Sequence, residues 1–578
     1  METRSAKRRK LRNPSQNNTG EDRITDLPDA VLHHILFLLP IKSIVQTSVL
    51  SKRWRSLWYA FPDLDFTTVI PSGTALTKFV YLKNLGNVIT QILSLRHKLS
   101  DVRSLRFCAC MTFSGLHTLV RAAVRLRVQE LDIRVATNDT INFPRSIIRS
   151  DCLRVLKVRS CPGLRLPPSR IMRSGFRTLQ TLSLSFVHLD NQSCLLDMFT
   201  DGSFPQLRKL NLDSCFNLKH LRVGCRLLEE LVLDNCSTLQ VLEILCPRLE
   251  TLRVSSCFLA VNIDNTSFQI DAPRLRTMVW DNSSVTGKSC MQNLGCLHEA
   301  TIGFLVRPEN LDADKLRSVS SFLSGFSHAE FLTLESPFVE VLHYFEYIVS
   351  FRFDLILNLY ILYDTNNKYS PRSIWSQESK FSWIQIILKN NPLATIFFHP
   401  FVKLKSLELH TIEIRGLASL LKVCPMIHTL IIKITNGLKT ERRDAKKGPK
   451  EPFVVVISLL LFPFICINNR ISSPFLQWNN RNVWDLSSSW EEQYWESQTD
   501  DLKPLLQFLR VVKIEGFFEC ENDIMILIKF LLKHGRVLQD LILHPGDYNS
   551  RGYHRHEKFK SRVMGFSRAS VDAKLAFR

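Results

Sequence analysis

The sequence contains no apolar run long enough to cross a bilayer. Its longest, Phe453 to Ile467, has 15 residues and includes Pro463, whereas a spanning helix needs ~20. No membrane anchor is therefore expected. The first twenty residues also lack the apolar core of a secretory leader. With 15 cysteines in the chain, this points to reduced thiols and to the nucleus, the cytoplasm or both. Only Cys108 and Cys110 stand close together, as C-x-C, and no paired C-x-x-C set occurs, so no metal site is expected. The glycine patterns that cradle phosphate are missing, as are H-E-x-x-H and G-x-S-x-G. The histidine pairs offer little: His33/His34 sit on a helix, and His554/His556 lie in a basic tail without the preorganisation a ligand set needs. No catalytic residue, metal or cofactor is assigned, and the expectation is a binding protein and not an enzyme.

What the chain does have is length and apolar residues. At 578 residues and 45% hydrophobic content it is globular but too long for one core, so several domains or a repeat array are expected. Lys and Arg outnumber Asp and Glu by 75 to 54, a net charge of +21. The densest basic run, Lys7-Arg8-Arg9-Lys10 with Arg12, falls in a polar, disordered tail over 1–20. A nuclear-import signal and a merely solvated tail both fit it.

Residues 21–66 read as three short helices. Asp26 is placed as an N-cap with Pro28 just inside the helix, where its missing N–H costs nothing. Leu27, Val31, Ile35 and Leu38/Leu39 recur at helical spacing, and Pro40 stops the helix. A second helix carries Ile44, Val45, Val49 and Leu50, and a third runs from Lys52 through Trp58. So small a core is marginal alone and commonly completes itself against a partner. The pattern LPDAVLHHILFLLP…SVLSKRWRSLW resembles the F-box along its whole length. That resemblance implies docking onto a Skp-type adaptor, and through it onto a cullin scaffold and a RING ubiquitin ligase. It also implies that Leu27, Pro28, Ile35, Leu36, Leu39, Pro40 and Trp54 occupy the family's apolar contact positions, a pattern suited to helix-in-groove docking.

From residue 128 a hexamer L-x-x-L-x-L, with apolar variants, recurs. Its first starts, Val128, Leu153, Leu179 and Leu207, lie 25, 26 and 28 residues apart, which is leucine-rich-repeat spacing. Between Leu207 and Leu249 the spacing alternates 11, 10, 11, 10, so a 21-residue coil should carry two strands, one on each side of a solenoid. Cys161, Cys215, Cys236 and Cys257 each follow the last apolar residue of a hexamer by three. This equal repeat position makes them a structural ladder and not a metal or disulfide set. Lys157, Lys209, Asn211, Glu230, Glu243 and Arg253 should face outward, with mixed signs that argue against a nucleic-acid partner.

The repeats span 100–340 and return over 401–440. Between and after them lie an irregular insert at 341–400 and an apolar one at 450–480, both readable as retained introns or as insertions that form extra helices. YWESQ, KIEGF and KFLLKHGRVLQDLIL, within 490–545, are similar to the FBD domain that ends many plant F-box/leucine-rich-repeat proteins. The basic tail over 546–578 lacks periodicity and is expected to be mobile. The expected fold class is thus an α+β/α/β solenoid: a small three-helix F-box module, a leucine-rich-repeat solenoid, and an FBD-like C-terminal cap. The resemblance implies a substrate adaptor of an SCF-type (Skp–cullin–F-box) ubiquitin ligase, with an unidentified protein substrate on the solenoid. Two alternatives stay open: an interaction protein without a role in degradation, or the non-functional product of a disrupted gene.

Overall fold

In the computed structural model the residues described are 24, 27–69, 75–96, 101–137, 140–173, 175–189, 195–259, 265–304, 313–335, 401–411, 417–434, 488–517, 521–546 and 553–577. They fall into two compact units divided after Ala136.

The first unit opens with α1 (Asp29–Phe37), α2 (Ile41–Thr47) and α3 (Lys52–Ala60). Leu32, Leu36, Ile41, Ile44, Trp54, Leu57 and Trp58 form its small core. The expected Asp26 cap is not the one used. Pro28 takes the N-cap position of α1 with extended backbone, and Asp26 lies outside the described residues. Pro40 caps α2 in the same way. The two Leu-Pro pairs therefore do one job: each proline presets extended backbone at a helix entry, where no N–H is missed. At α3 a serine does it instead, the Ser51 hydroxyl accepting from the Trp54 amide at 3.3 Å. The second helix is shorter than expected. It ends at Thr47, which leaves Val49 and Leu50 in the following turn and out of the core. The unit continues through β1 (Asp63–Asp65), α4 (Ala75–Leu95), β2 (Ser104–Cys110), α5 (Phe113–Arg125) and β3 (Glu130–Ala136), whose strands pair in parallel. Arg96, buried just past α4, donates to the Trp58 carbonyl at 3.1 Å and so supplies a cation at the C-terminal end of α3.

The second unit is a parallel ladder built one coil at a time. Its first sheet runs β4 (Ile141–Asn142), β5 (Val155–Arg165), β6 (Thr181–His188), β8 (Lys209–Asp213), β10 (Glu230–Asp234), β12 (Thr251–Ser255), β14 (Thr277–Ser283), β16 (Glu299–Phe304). It continues through β17 (Phe331–Leu334), β18 (Ser406–Thr411), β19 (Thr429–Ile434), β20 (Val511–Glu515) and β21 (Asp540–His544) to β22 (Lys574–Phe577). A second sheet holds β7 (Leu195–Thr200), β9 (His220–Gly224), β11 (Val241–Leu245), β13 (Ser267–Asp271) and β15 (Lys288–Gln292). The 21-residue coil with two strands is what forms: Lys209, Glu230 and Thr251 stand in register on one sheet, His220 and Val241 on the other. The two strand-borne residues of each hexamer point inward with period 2, as Leu231 and Leu233 do at 0% exposure.

The ladder crosses both irregular intervals, since β17 pairs directly with β18 and β19 with β20. The inserts at 341–400 and 450–480, and their reading as introns, lie outside the described residues. Helices α6 (Ala313–Ser324), α7 (Leu417–Lys422), α8 (Ser488–Ser497), α9 (Thr499–Leu506) and α10 (Glu521–His534) serve the later coils. Gly516 in KIEGF has φ +75, and a Cβ there would stand 2.3 Å from the Ile434 carbonyl oxygen, so only glycine fits. The expectation of a mobile tail is corrected. Tyr553–Met564 forms α11, and β22 extends the ladder beyond β21. Phe559 and Val563, one helical turn apart, are buried among the tail's charges. Two apolar residues were too few to show as periodicity.

The cysteine ladder also needs amending. Cys215, Cys236 and Cys257 are buried, and the Cys236 and Cys257 thiols donate to the Asp234 and Ser255 carbonyls at 3.5 and 3.3 Å. Cys161 is exposed, because β5 runs on past it with a register shift between Arg159 and Leu164. A second ladder, Cys225 and Cys246, lies behind the other sheet and escaped the sequence reading. Burial pushes the Cys225 thiol up, and Cys246 up to about 11. Hydrogen bonding to Cys236, with burial, raises Cys215 and Cys257. Alkylation of the folded protein at pH 8, read by peptide mass spectrometry, should therefore label Cys161, Cys290 and Cys296 and spare all five ladder thiols. Since Cys215, Cys225, Cys246 and Cys257 ionise later folded than unfolded, their share of stability is whole below the free-thiol value of ~8.5. It is lost as pH rises beyond that value, for Cys246 up to about 11.

Candidate functional site

The docking residues expected from the sequence divide into two sets. Pro28, Leu39 and Pro40 are exposed, and Leu27 and Ile35 are half-buried. Leu36, at 0%, and Trp54, at 9%, face inward. A partner seated on this surface cannot touch a side chain with no accessible area, so Leu36 is a core residue and Trp54 very nearly one. The entry of α1 is pinned from behind. Arg53 donates to the Leu27 carbonyl at 2.5 Å and to Asp29 at 2.7 and 2.9 Å. What the sequence reading missed are the apolar residues left outside: Leu38 at 74%, Val49 at 82% and Leu50 at 69% exposure. Helical spacing placed all three on buried stripes, but each lies beyond a helix end and the stripe does not reach it. Alongside is an open groove of about 520 Å³ lined by Phe37, Leu39, Pro40 and Ile44 and, opposite, by Asp63, Arg103 and Arg106. Arg103 bonds Asp63, which pushes the guanidinium pKa up, and lies over the Phe37 ring at 5.5 Å.

On the second unit, Lys157, Lys209, Asn211, Glu230 and Arg253 lie on outward positions of the first sheet. Glu243 belongs to β11 in the other sheet and does not share that face. Mixed signs hold over β8 to β12, where Lys209 pairs with Glu230 at 2.7 Å and Arg253 with Asp234 at 3.7 Å. Further along, Glu408 accepts from Lys433 at 2.5 Å and faces one ring nitrogen of His410 at 2.9 Å, while the other nitrogen faces Glu335 at 2.9 Å. Burial works against the Glu408 carboxylate, but these bonds outweigh it and hold its pKa low. Among the described residues no group of three or more His, Cys, Asp or Glu is arranged to hold a metal, and no helix is long and apolar enough to cross a membrane.

Comparison with known proteins gives these surfaces a family. Residues 24–63 match the F-box domain, and residues 92–297 match the At1g61320/AtMIF1, LRR domain. An F-box/FBD/LRR-repeat protein of Arabidopsis thaliana is 38% identical over 591 residues, covering 100% of both chains. The chain belongs to the F-box/FBD/LRR-repeat family. A second Arabidopsis thaliana member is 31% identical over 187 residues, 32% of this chain and 40% of that one. F-box/LRR-repeat protein 25 of the same plant is 29% identical over 206 residues, 35% of this chain and 71% of its own. In this F-box/FBD/LRR-repeat protein the F-box match covers α1 to α3 and ends where β1 begins. The repeat match takes in the two-strand coils of the solenoid.

Proposed function

We propose that this protein is the substrate-recognition adaptor of an SCF-type ubiquitin ligase. Its F-box docks a Skp-type adaptor and through it the cullin and RING subunits, and its solenoid binds a protein substrate. The observation that carries the reading is the apolar surface left uncovered on a three-helix module too small to hide it. Leu38, Val49 and Leu50 are each more than two-thirds exposed, and clustered exposure of that kind marks a partner's seat. No catalysis is assigned to the chain; it raises the effective concentration of substrate beside the ligase. The reading also places the protein in nucleus or cytoplasm, where the ligase subunits are met.

Affinity capture of the full-length protein with the proteasome blocked is the test. Recovery of a Skp-type adaptor and a cullin, with a protein that disappears when the proteasome is released, is expected. Capture that never contains the adaptor would sink the docking half, and a partner whose abundance ignores deletion of 24–63 would sink the delivery half.

A further inference from the structure

Charges along the first sheet of the solenoid are paired over β8 to β12, as Arg208–Glu229, Lys209–Glu230 and Arg253–Asp234 show. The coils before them differ. Between 145 and 177 there are nine Lys and Arg against Asp151 alone. All nine are exposed, and none forms an ion pair with a described residue. Three of them belong to the strand side: Lys157 and Arg159 on β5, and Arg154 just before it. Lys157 and Arg159 project from one face two residues apart, a spacing of roughly 6.6–6.8 Å. The neighbouring strand sets Thr181, Ser183 and Ser185 beside Val155, Lys157 and Arg159. On that side hydroxyls flank the cations, and no carboxylate does.

Arg159 is also held in place. Its guanidinium carbon lies 5.1 Å over the ring of Phe186, which in turn stacks near Phe216 at 6.4 Å. Phe186 sits at φ 61, a left-handed backbone. The same place in the following coils is taken by Ser214, Asn235, Ser256 and Asn282, all likewise at positive φ. Asparagine accepts that conformation readily and serine is at least small, whereas phenylalanine bears a steric cost there. A ring at that distance restrains the guanidinium, so that less rotamer freedom is lost when a carboxylate binds it.

We propose that this face of β5 binds an acidic, extended segment of the protein substrate, whose carboxylates at alternate positions meet Lys157 and Arg159, with Arg154 at one end. The proposal rests on the reading of the solenoid as the substrate-binding part. A protein segment suits the site better than a nucleic acid, because the unpaired cations are one strand wide: β6 adds none, and Arg208 and Lys209 on the next coil are already engaged.

The test is fluorescence anisotropy on the full-length protein with a fluorescein-labelled peptide of alternating Glu and Ser. Three comparison probes are its Gln counterpart, a phosphoserine counterpart, and a single-stranded oligonucleotide of equal charge. The Glu peptide should bind at least tenfold more tightly than the Gln one, and Lys157→Glu with Arg159→Glu should remove that margin. Phe186→Ser should weaken binding severalfold without lowering the unfolding temperature, which a merely structural role for the ring would not produce. Binding that ignores the charge reversal would overturn the proposal. So would tenfold tighter binding of the phosphoserine peptide or the oligonucleotide, each naming a different occupant. Adaptor capture, run on the same preparations, should persist in every variant. Its absence from the unsubstituted protein would strike the docking reading and leave the peptide result standing.

Discussion

Full-length protein carrying Leu27→Asp and Pro28→Ala is expected to lose capture of a Skp-type adaptor while unfolding close to the parent. Pro28 is exposed and Leu27 half-buried at the entry of α1, so neither change opens the core. Surface changes of this kind usually move stability by no more than ~0.5–1 kcal/mol. Truncating an apolar anchor at an interface, by contrast, costs roughly 2–4 kcal/mol, or about 30- to 1000-fold in affinity. Val49→Asp with Leu50→Asp should do the same from the α2–α3 turn, where both side chains stand in solvent. Leu36→Asp would not be informative, because a carboxylate at 0% exposure unfolds the module and loses the adaptor by default. Co-precipitation of purified adaptor, with circular dichroism of each variant, decides the matter. If both double variants hold the adaptor as the parent does, the docking surface lies elsewhere.

The pairing of those two variants shows what could be read from residues alone. Leu27-Pro28 and Leu39-Pro40 were legible because proline acts through its own backbone, which any context must respect. Val49 and Leu50 were misread because spacing can extend a stripe past the residue where the helix stops, and the stop at Thr47 carries no breaker. The solenoid was legible for a different reason. A repeated coil states its period many times, so Leu210, Leu231 and Leu252 could be aligned before any strand was seen. Where a coil departs from that period, the reading failed. The register shift in β5 took Cys161 out of the ladder, and α11 hid its two buried residues among the charges of the tail. The lack of an ion pair at Lys157 escaped for a related reason: pairing is a property of neighbours across strands, and composition along one strand cannot show that Arg208 pairs with Glu229 while Lys157 forms no ion pair with a described residue.

A second large effect is expected inside the solenoid. Trp280 ends the hexamer that begins at Leu275, and its inward direction follows from the repeat. Its surroundings do not. The indole lies 5.3 Å from the Phe258 ring, 5.1 Å from Phe268 and 4.8 Å from Phe322, which come from a turn, the second sheet and α6. All four side chains are fully buried. Trp280→Ala should therefore cost about 3–5 kcal/mol, since neighbours anchored in three different elements cannot collapse into the space left. Trp280→Phe should cost far less, under ~1.5 kcal/mol. The indole N–H makes no hydrogen bond to a described residue, and a buried donor left so costs roughly 1–3 kcal/mol, which phenylalanine removes along with part of the ring. Because a solenoid can unravel coil by coil, the measurement is hydrogen exchange of β12, β14 and β16 together with urea unfolding. Equal losses for the two substitutions would mean that a phenyl ring recovers none of the packing the indole supplies and that removing the indole N–H relieves no penalty.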